Sequence, residues 1–138
     1  MTRFRFLNPT GDLAIEIYGQ SLKDLFENAG QALFAVLTDP SKVEARVETA
    51  IALSYDNLET LLVDWLGELL YLYDAKGLVF RRFEVESIEK ERFEAKAWGE
   101  SFEAGRHVIR TGVKAVTFHE LEVKRERAHW RARVTLDL

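Results

Sequence analysis

Arg46-Val47-Glu48-Thr49-Ala50-Ile51-Ala52-Leu53-Ser54-Tyr55 runs straight into Asp56-Asn57-Leu58-Glu59-Thr60-Leu61-Leu62-Val63-Asp64-Trp65-Leu66, and the change of period between the two halves decides the fold class. In the first half Val47, Thr49, Ile51, Leu53 and Tyr55 fall on one side, and Arg46, Glu48, Ala50, Ala52 and Ser54 on the other. A period of two is the signature of a strand with one face buried. In the second half Leu58, Leu61, Leu62, Trp65, Leu66, Leu69, Leu70 and Tyr73 recur at helical spacing. The stripe is broad, which predicts a helix heavily buried against a sheet. Asp56, with Glu59 three residues on, is the expected N-cap, and Gly77 fits the C′ position.

The same alternation of periods continues outward. Residues 3–18 read as one or two strands, broken by turn chemistry at Asn8-Pro9-Thr10-Gly11, with Leu13, Ile15 and Ile17 on a buried face. Ser21 is a predicted N-cap for a helix carrying Leu22, Leu25, Phe26, Ala29, Leu33, Val36 and Leu37. That helix ends near Thr38-Asp39-Pro40, because the residue before proline is turned away from helical angles. Beyond Gly77 the pattern is strand after strand, over 78–87, 90–98, 113–125 and 129–137, with a long loop at 99–112. The alternation changes phase at Thr117-Phe118-His119, which predicts a bulge. Helices early and strands late give an α+β fold: one domain over 1–138, a mostly antiparallel or mixed β-sheet with two α-helices packed on one face.

Bulk properties restrict the function classes. A chain of 138 residues, 47% hydrophobic and 30% charged, suits a single domain with a real core. The net charge of −4 gives no general attraction to phosphate backbones, so strong direct RNA binding is not expected without a local basic patch. The absence of cysteine removes disulfides, thiolate metal sites and a cysteine nucleophile. No apolar run suits a signal peptide or a membrane span, so no membrane association and a cytoplasmic location are expected.

No enzyme motif is present: no Walker lysine loop, dinucleotide glycine pattern, HExxH or GxSxG. His107, His119 and His129 lack ligand-like spacing and read as surface or edge-strand residues. Three acids stand at element ends: Asp12 at the start of a strand, Asp39 at a helix exit and Asp137 beside the α-carboxylate of Leu138. One reading makes Asp12 and Asp39 turn residues with local backbone hydrogen bonds, and the strand end beside Asp137 a solvated surface. The other gathers these oxygen groups into a cluster at the loop side, a donor set suited to calcium, magnesium or manganese rather than zinc. Lys124, Arg125, Arg127, Arg131 and Arg133 form a late basic group; Arg131 and Arg133 share the outward face with Asp137. That group reads either as a solvated sheet face or as a docking surface for an acidic partner or RNA.

Thr10-Gly11-Asp12-Leu13-Ala14-Ile15-Glu16-Ile17-Tyr18-Gly19, then Ser21-Leu22-Lys23-Asp24-Leu25-Phe26-Glu27-Asn28-Ala29, resembles the start of the archease family. So do Leu33-Phe34-Ala35-Val36-Leu37-Thr38-Asp39 and Leu61-Leu62-Val63-Asp64-Trp65-Leu66-Gly67-Glu68-Leu69-Leu70-Tyr71. The resemblance continues in order through Ala97-Trp98-Gly99-Glu100, Val113-Lys114-Ala115-Val116-Thr117-Phe118-His119 and the final Val134-Thr135-Leu136-Asp137-Leu138.

This resemblance implies an accessory protein rather than a catalyst. Archeases assist the GTP- and manganese-dependent ligase that joins RNA 3′-phosphate to 5′-hydroxyl ends in tRNA splicing, promoting its guanylylation and multiple turnover. A chaperone-like role toward a tRNA methyltransferase is also implied. The family carries a divalent-metal site, often read as calcium; by motif its ligands here are Asp12, Asp39, Asp137 and the terminal carboxylate of Leu138. Family members often place Asp-His before the Thr-Ala-Asp segment, where this chain has Asn8-Pro9, so no role of that histidine carries over. Two rival classes remain: a metal-dependent hydrolase, which needs a water-activating base beside the acids, and a general holdase, which needs an exposed apolar patch.

Overall fold

A computed structural model describes residues 2–7 and 11–138. The chain order is β1 (Phe4–Leu7), β2 (Asp12–Gly19), α1 (Leu22–Leu37), a 3-10 turn (Pro40–Lys42), β3 (Val47–Ser54), α2 (Leu58–Lys76), β4 (Leu78–Glu89), β5 (Arg92–Ser101), β6 (Ala115–Arg125) and β7 (Trp130–Asp137). The predicted turn at residues 8–10 lies outside the described residues.

The strands form two antiparallel sheets, ordered β1-β2-β7-β6 and β3-β5-β4, where the sequence reading expected one. Alternation tells which side of a strand is buried, not which strand lies beside it. α1 packs on β2 of the first sheet and β4 of the second; α2 packs on β6, β3 and β4. The helices therefore lie against the inner faces of both sheets, and one core joins all three layers. Ile15, Ile17, Ala132, Val134 and Leu136 enter it from the first sheet, and Ile51, Phe83, Val85, Phe93, Ala95 and Ala97 from the second. Trp65 sits at its centre with no exposed surface. Its ring lies 5.0 Å from Phe93 and edge-on to Phe83, and its indole N–H donates to the Phe26 carbonyl at 2.9 Å. The hydrogen bond meets the cost of burying a polar atom in an aromatic cluster.

Helix ends follow the sequence chemistry with one correction. The Ser21 hydroxyl accepts the Asp24 N–H, as expected. Asn57, not Asp56, caps α2: its side-chain carbonyl accepts the Thr60 N–H at 2.8 Å. Both residue types cap well, and the extended backbone falls at position 57, so the helix begins one residue later. Gly77 closes α2 in the left-handed conformation, φ 66°, where a side chain is disfavoured.

β4 and β5 run longer than the expected 78–87 and 90–98, whereas β3, β6 and β7 begin one or two residues later than expected. β4 reaches Glu89 and β5 spans Arg92–Ser101, so the long loop starts at residue 102 rather than 99. The bulge expected near Phe118 is present and large: the β6–β7 register advances from Thr117 to Glu122 on one strand but only from Thr135 to Arg133 on the other. Thr117 Oγ1 donates to the Thr135 carbonyl, Thr135 Oγ1 donates to the His119 carbonyl, and Glu120 takes a left-handed φ of 50°. Phe118 stands 65% exposed at its crest.

Candidate functional site

The register of the first sheet sets one end of the molecule. β2 begins opposite the end of β7, so Asp12 is the direct cross-strand partner of Asp137. Directly opposed residues on antiparallel strands point to the same face, with Cβ atoms about 4.5–5.5 Å apart. Two carboxylates are thus held side by side, both half-buried, with the partly exposed Leu138 next in the chain.

Asp39 arrives from α1. Its Oδ1 accepts the Ser41 hydroxyl at 2.7 Å and the Ser41 N–H at 3.1 Å, and Arg110 stands 3.7 Å from Oδ2. The Ser41 hydroxyl, then its N–H and the nearby Arg110, hold the Asp39 carboxyl below the usual aspartate range. The local turn role read from the sequence is therefore present. Asp39 is nevertheless tied to the Asp12–Asp137 end by one stretch of chain. Arg110 donates its N–H to the Leu37 carbonyl, and Lys114 donates its N–H to the Asp137 carbonyl. The chain between Arg110 and Lys114 reaches at most about 14 Å. Among the described residues no group of three or more His, Asp or Glu side chains is arranged to hold a metal ion. The structure thus pairs Asp12 with Asp137, while Asp39 is engaged with its own partners and is linked to that pair through residues 110–114.

Of the late basic residues, Lys124, Arg131 and Arg133 are ion-paired on the first sheet, whereas Arg125 stands over the Trp130 ring. Arg131 meets Glu122 at 2.7 Å and Glu126 at 2.8 Å, and Arg133 meets Glu120 at 2.7 Å. Glu16, taking a hydrogen bond from the Tyr18 hydroxyl and flanked by Arg5 and Arg131, belongs to the same network. This is the charged-face reading, with acids interleaved among the bases.

A polar cluster at the exit of β5 was not legible in the sequence. Glu100 is buried, and its carboxylate accepts two bonds from Arg106, at 2.7 and 2.9 Å, and the Glu44 N–H at 2.8 Å. His107, expected at the surface, has a fully buried side chain. Its Nδ1 accepts the Glu103 N–H at 2.8 Å, so Nε2 carries the proton and donates to Glu100 at 2.8 Å. A residue in a loop has no period to betray its burial, which is why the sequence placed His107 outside. The available signal was a carboxylate followed within one turn-rich loop by Arg-His.

Arg106 above all, then the Glu44 N–H, hold the Glu100 carboxyl down to about 2, against 4.5 unperturbed. A depressed carboxyl pKa stabilises the fold fully above the unfolded value and loses that contribution as pH falls through the folded one. Glu100→Gln is therefore expected to lower the melting temperature at neutral pH. The gap to the parent protein should close between about pH 4.5 and pH 2, read from melting curves across that range.

The Archease protein family (MTH1598/TM1083) model matches residues 4–138. The chain belongs to the archease family. It is 39% identical over 140 residues to protein archease of Methanosarcina mazei, covering 99% of this chain and 96% of that one. Against protein archease of Sulfolobus acidocaldarius the identity is 40% over 139 residues, with both chains covered completely. The solution structure of Methanobacterium thermoautotrophicum protein 1598 superposes on this archease-family chain with a TM-score of 0.89, at 40% identity and complete coverage of both. The crystal structure of a Thermotoga maritima archease, described as a possible chaperone, shares the fold with a TM-score of 0.66 at 22% identity, covering 96% of this chain and 94% of that one. No described helix of this family member is long and apolar enough to cross a membrane.

Proposed function

We propose that this chain is a metal-binding accessory protein, not itself a catalyst. It activates the GTP-dependent RNA ligase of tRNA splicing and RNA repair, promoting ligase guanylylation and multiple turnover. The observation that carries the reading is the pairing of Asp12 with Asp137 at a strand end, in a chain of the archease family. Like charges opposed across a ladder are destabilising, and here they are retained beside a further carboxylate, that of Leu138. A hard divalent cation offsets that repulsion, and a donor set made only of oxygens suits calcium first, with magnesium or manganese accommodated. Asp12, Asp137 and the Leu138 carboxylate would hold the ion, with Asp39 supplying a further oxygen on exchanging its present partners. Bound there, the ion supplies positive charge at a rigid face. The protein's own residues then dock that face: Lys114 and Arg110 border it, and Val108 and Ile109 project beside Arg110. Binding that differs between two states of the ligase shifts it toward the active one.

The test is multiple-turnover ligation of 3′-phosphate and 5′-hydroxyl RNA ends by a cognate ligase. Addition of this chain is expected to raise turnover, and Asp12→Ala to remove at least about nine-tenths of the gain, consistent with losing a metal ligand. Equal stimulation by Asp12→Ala and the parent chain would defeat the proposal. A second reading, chaperone-like action on a tRNA methyltransferase, draws on the exposed Ile109 and Phe118; it predicts solubility gains for the methyltransferase with no effect on ligase turnover.

A further inference from the structure

The chain from residue 102 to 114 leaves the second sheet at the end of β5 and enters the first sheet at the start of β6. It has no strand partner, yet it is fixed at both ends. At its start Glu100 binds Arg106 and His107, while the Glu103 N–H closes on His107 Nδ1. The same carboxylate takes the Glu44 N–H, from the chain that follows the 3-10 turn begun by Asp39. Glu100 therefore clamps the two segments that flank Asp39 in space. Further along, the Thr38 hydroxyl donates to the Val108 carbonyl at 2.6 Å, Arg110 bonds the Leu37 carbonyl, and Lys114 bonds the Asp137 carbonyl. Glu100 is the only buried carboxylate among the described residues, and it joins backbone and side-chain donors from separate segments.

We infer that Glu100, acting through Arg106, His107 and the Glu44 N–H, is a positioning residue for the acidic end: it ties the chain that follows the Asp39 turn to the segment bonded to Thr38 and Leu37, and so fixes the place from which the Asp39 carboxylate reaches toward the Asp12–Asp137 pair once it leaves Ser41 and Arg110. The inference rests on the metal-binding reading proposed above. Strand pairing alone aligns Asp12 with Asp137, so that pair survives loss of Glu100. Asp39 lies outside that ladder: its turn is closed locally by Ser41 and Lys42, and the chain on either side is bonded to the segment that Glu100 holds, Thr38 to Val108 and Glu44 to Glu100 itself. Removing the clamp should therefore act on cation binding through Asp39.

The test is a double-mutant cycle on calcium affinity, measured by titration calorimetry on the isolated chain at a temperature where far-UV circular dichroism shows every variant folded. Glu100→Gln keeps the size of the side chain and removes the charge that Arg106 needs. It is expected to weaken calcium binding on the order of tenfold, at the low end for a supporting residue behind a ligand. Asp39→Ala should weaken it comparably, and the double variant no more than the worse single one, because both act on one element. Ile51→Val trims the core in β3 away from this segment and should bind calcium as the parent does. Unchanged affinity in Glu100→Gln, multiplied losses in the double variant, or an equal loss in Ile51→Val would each overturn the inference and leave the metal reading standing. If the parent chain bound neither calcium, magnesium nor manganese, the metal reading itself would fall, and this inference with it.

Discussion

Gly99→Ala is expected to destabilise the protein by about 3 kcal/mol or more, the top of the range for overpacking a core. Gly99 lies in β5, paired with Phe80 of β4 and Val47 of β3. A Cβ there would stand 1.8 Å from the Val79 carbonyl oxygen and 2.8 Å from the Phe80 Cα. Both obstacles are backbone atoms of a neighbouring strand, and Val79 and Phe80 are themselves buried. A side chain could rotate away; a ladder of hydrogen bonds cannot. The β4–β5 register already shifts between Phe80 and Arg82, so β4 bends where Gly99 lets it approach. Glu100 follows directly, so the alanine should also disturb the clamp on residues 102–114. Denaturant unfolding gives the measurement. Gly67→Ala is the control, because a Cβ at Gly67 meets nothing within 4 Å and alanine favours a helix. A Gly99→Ala midpoint within error of the parent would show that β4 can withdraw.

Asp137→Asn is expected to reverse its effect with the solvent. In chelator the parent protein carries Asp12 and Asp137 opposed across the β2–β7 ladder with no ion to offset them. Neutralising one carboxylate relieves that repulsion, a gain of about 0.2–1 kcal/mol. In calcium the order inverts. A ligand at a hundred times its dissociation constant stabilises the folded state by about 2.7 kcal/mol, and at a thousand times by about 4.1. The asparagine variant gives up a charged ligand and most of that stabilisation. Melting temperatures in chelator and in excess calcium should therefore cross: the variant higher in the first, the parent higher in the second. Equal calcium shifts in both proteins would show that Asp137 holds no ion.

What was legible in the sequence was local. Ser21 and Gly77 declare helix ends because capping is settled by side chains within a turn. The phase change at Phe118 declares a bulge because alternation is a property of consecutive residues. The approach of Asp12 to Asp137 was foreseen only as a meeting of element ends; their direct pairing depends on register between strands far apart in sequence. Division into two sheets escaped for the same reason. His107 escaped because an aperiodic loop gives no sign of burial, and Glu100 because the sequence reading ends the strand at 98, which leaves its carboxylate to a loop where charged residues are ordinarily solvated. Asp39 shows the limit from the other side: its turn chemistry was readable, but its proximity to Arg110, 71 residues on in the chain, was not.

The β6 bulge has a consequence for how the molecule meets its own kind. β6 is the outermost strand of the four-stranded sheet, where free N–H and C=O groups would invite another chain to add on. Between Thr117 and Glu122 that row is interrupted, folded toward Thr135 and crowned by Phe118. A newcomer would find two short stubs instead of a template, and β1 at the opposite margin offers only Phe4–Leu7. The sheet thus resists edge-to-edge growth into fibres even though it carries an exposed aromatic at that margin.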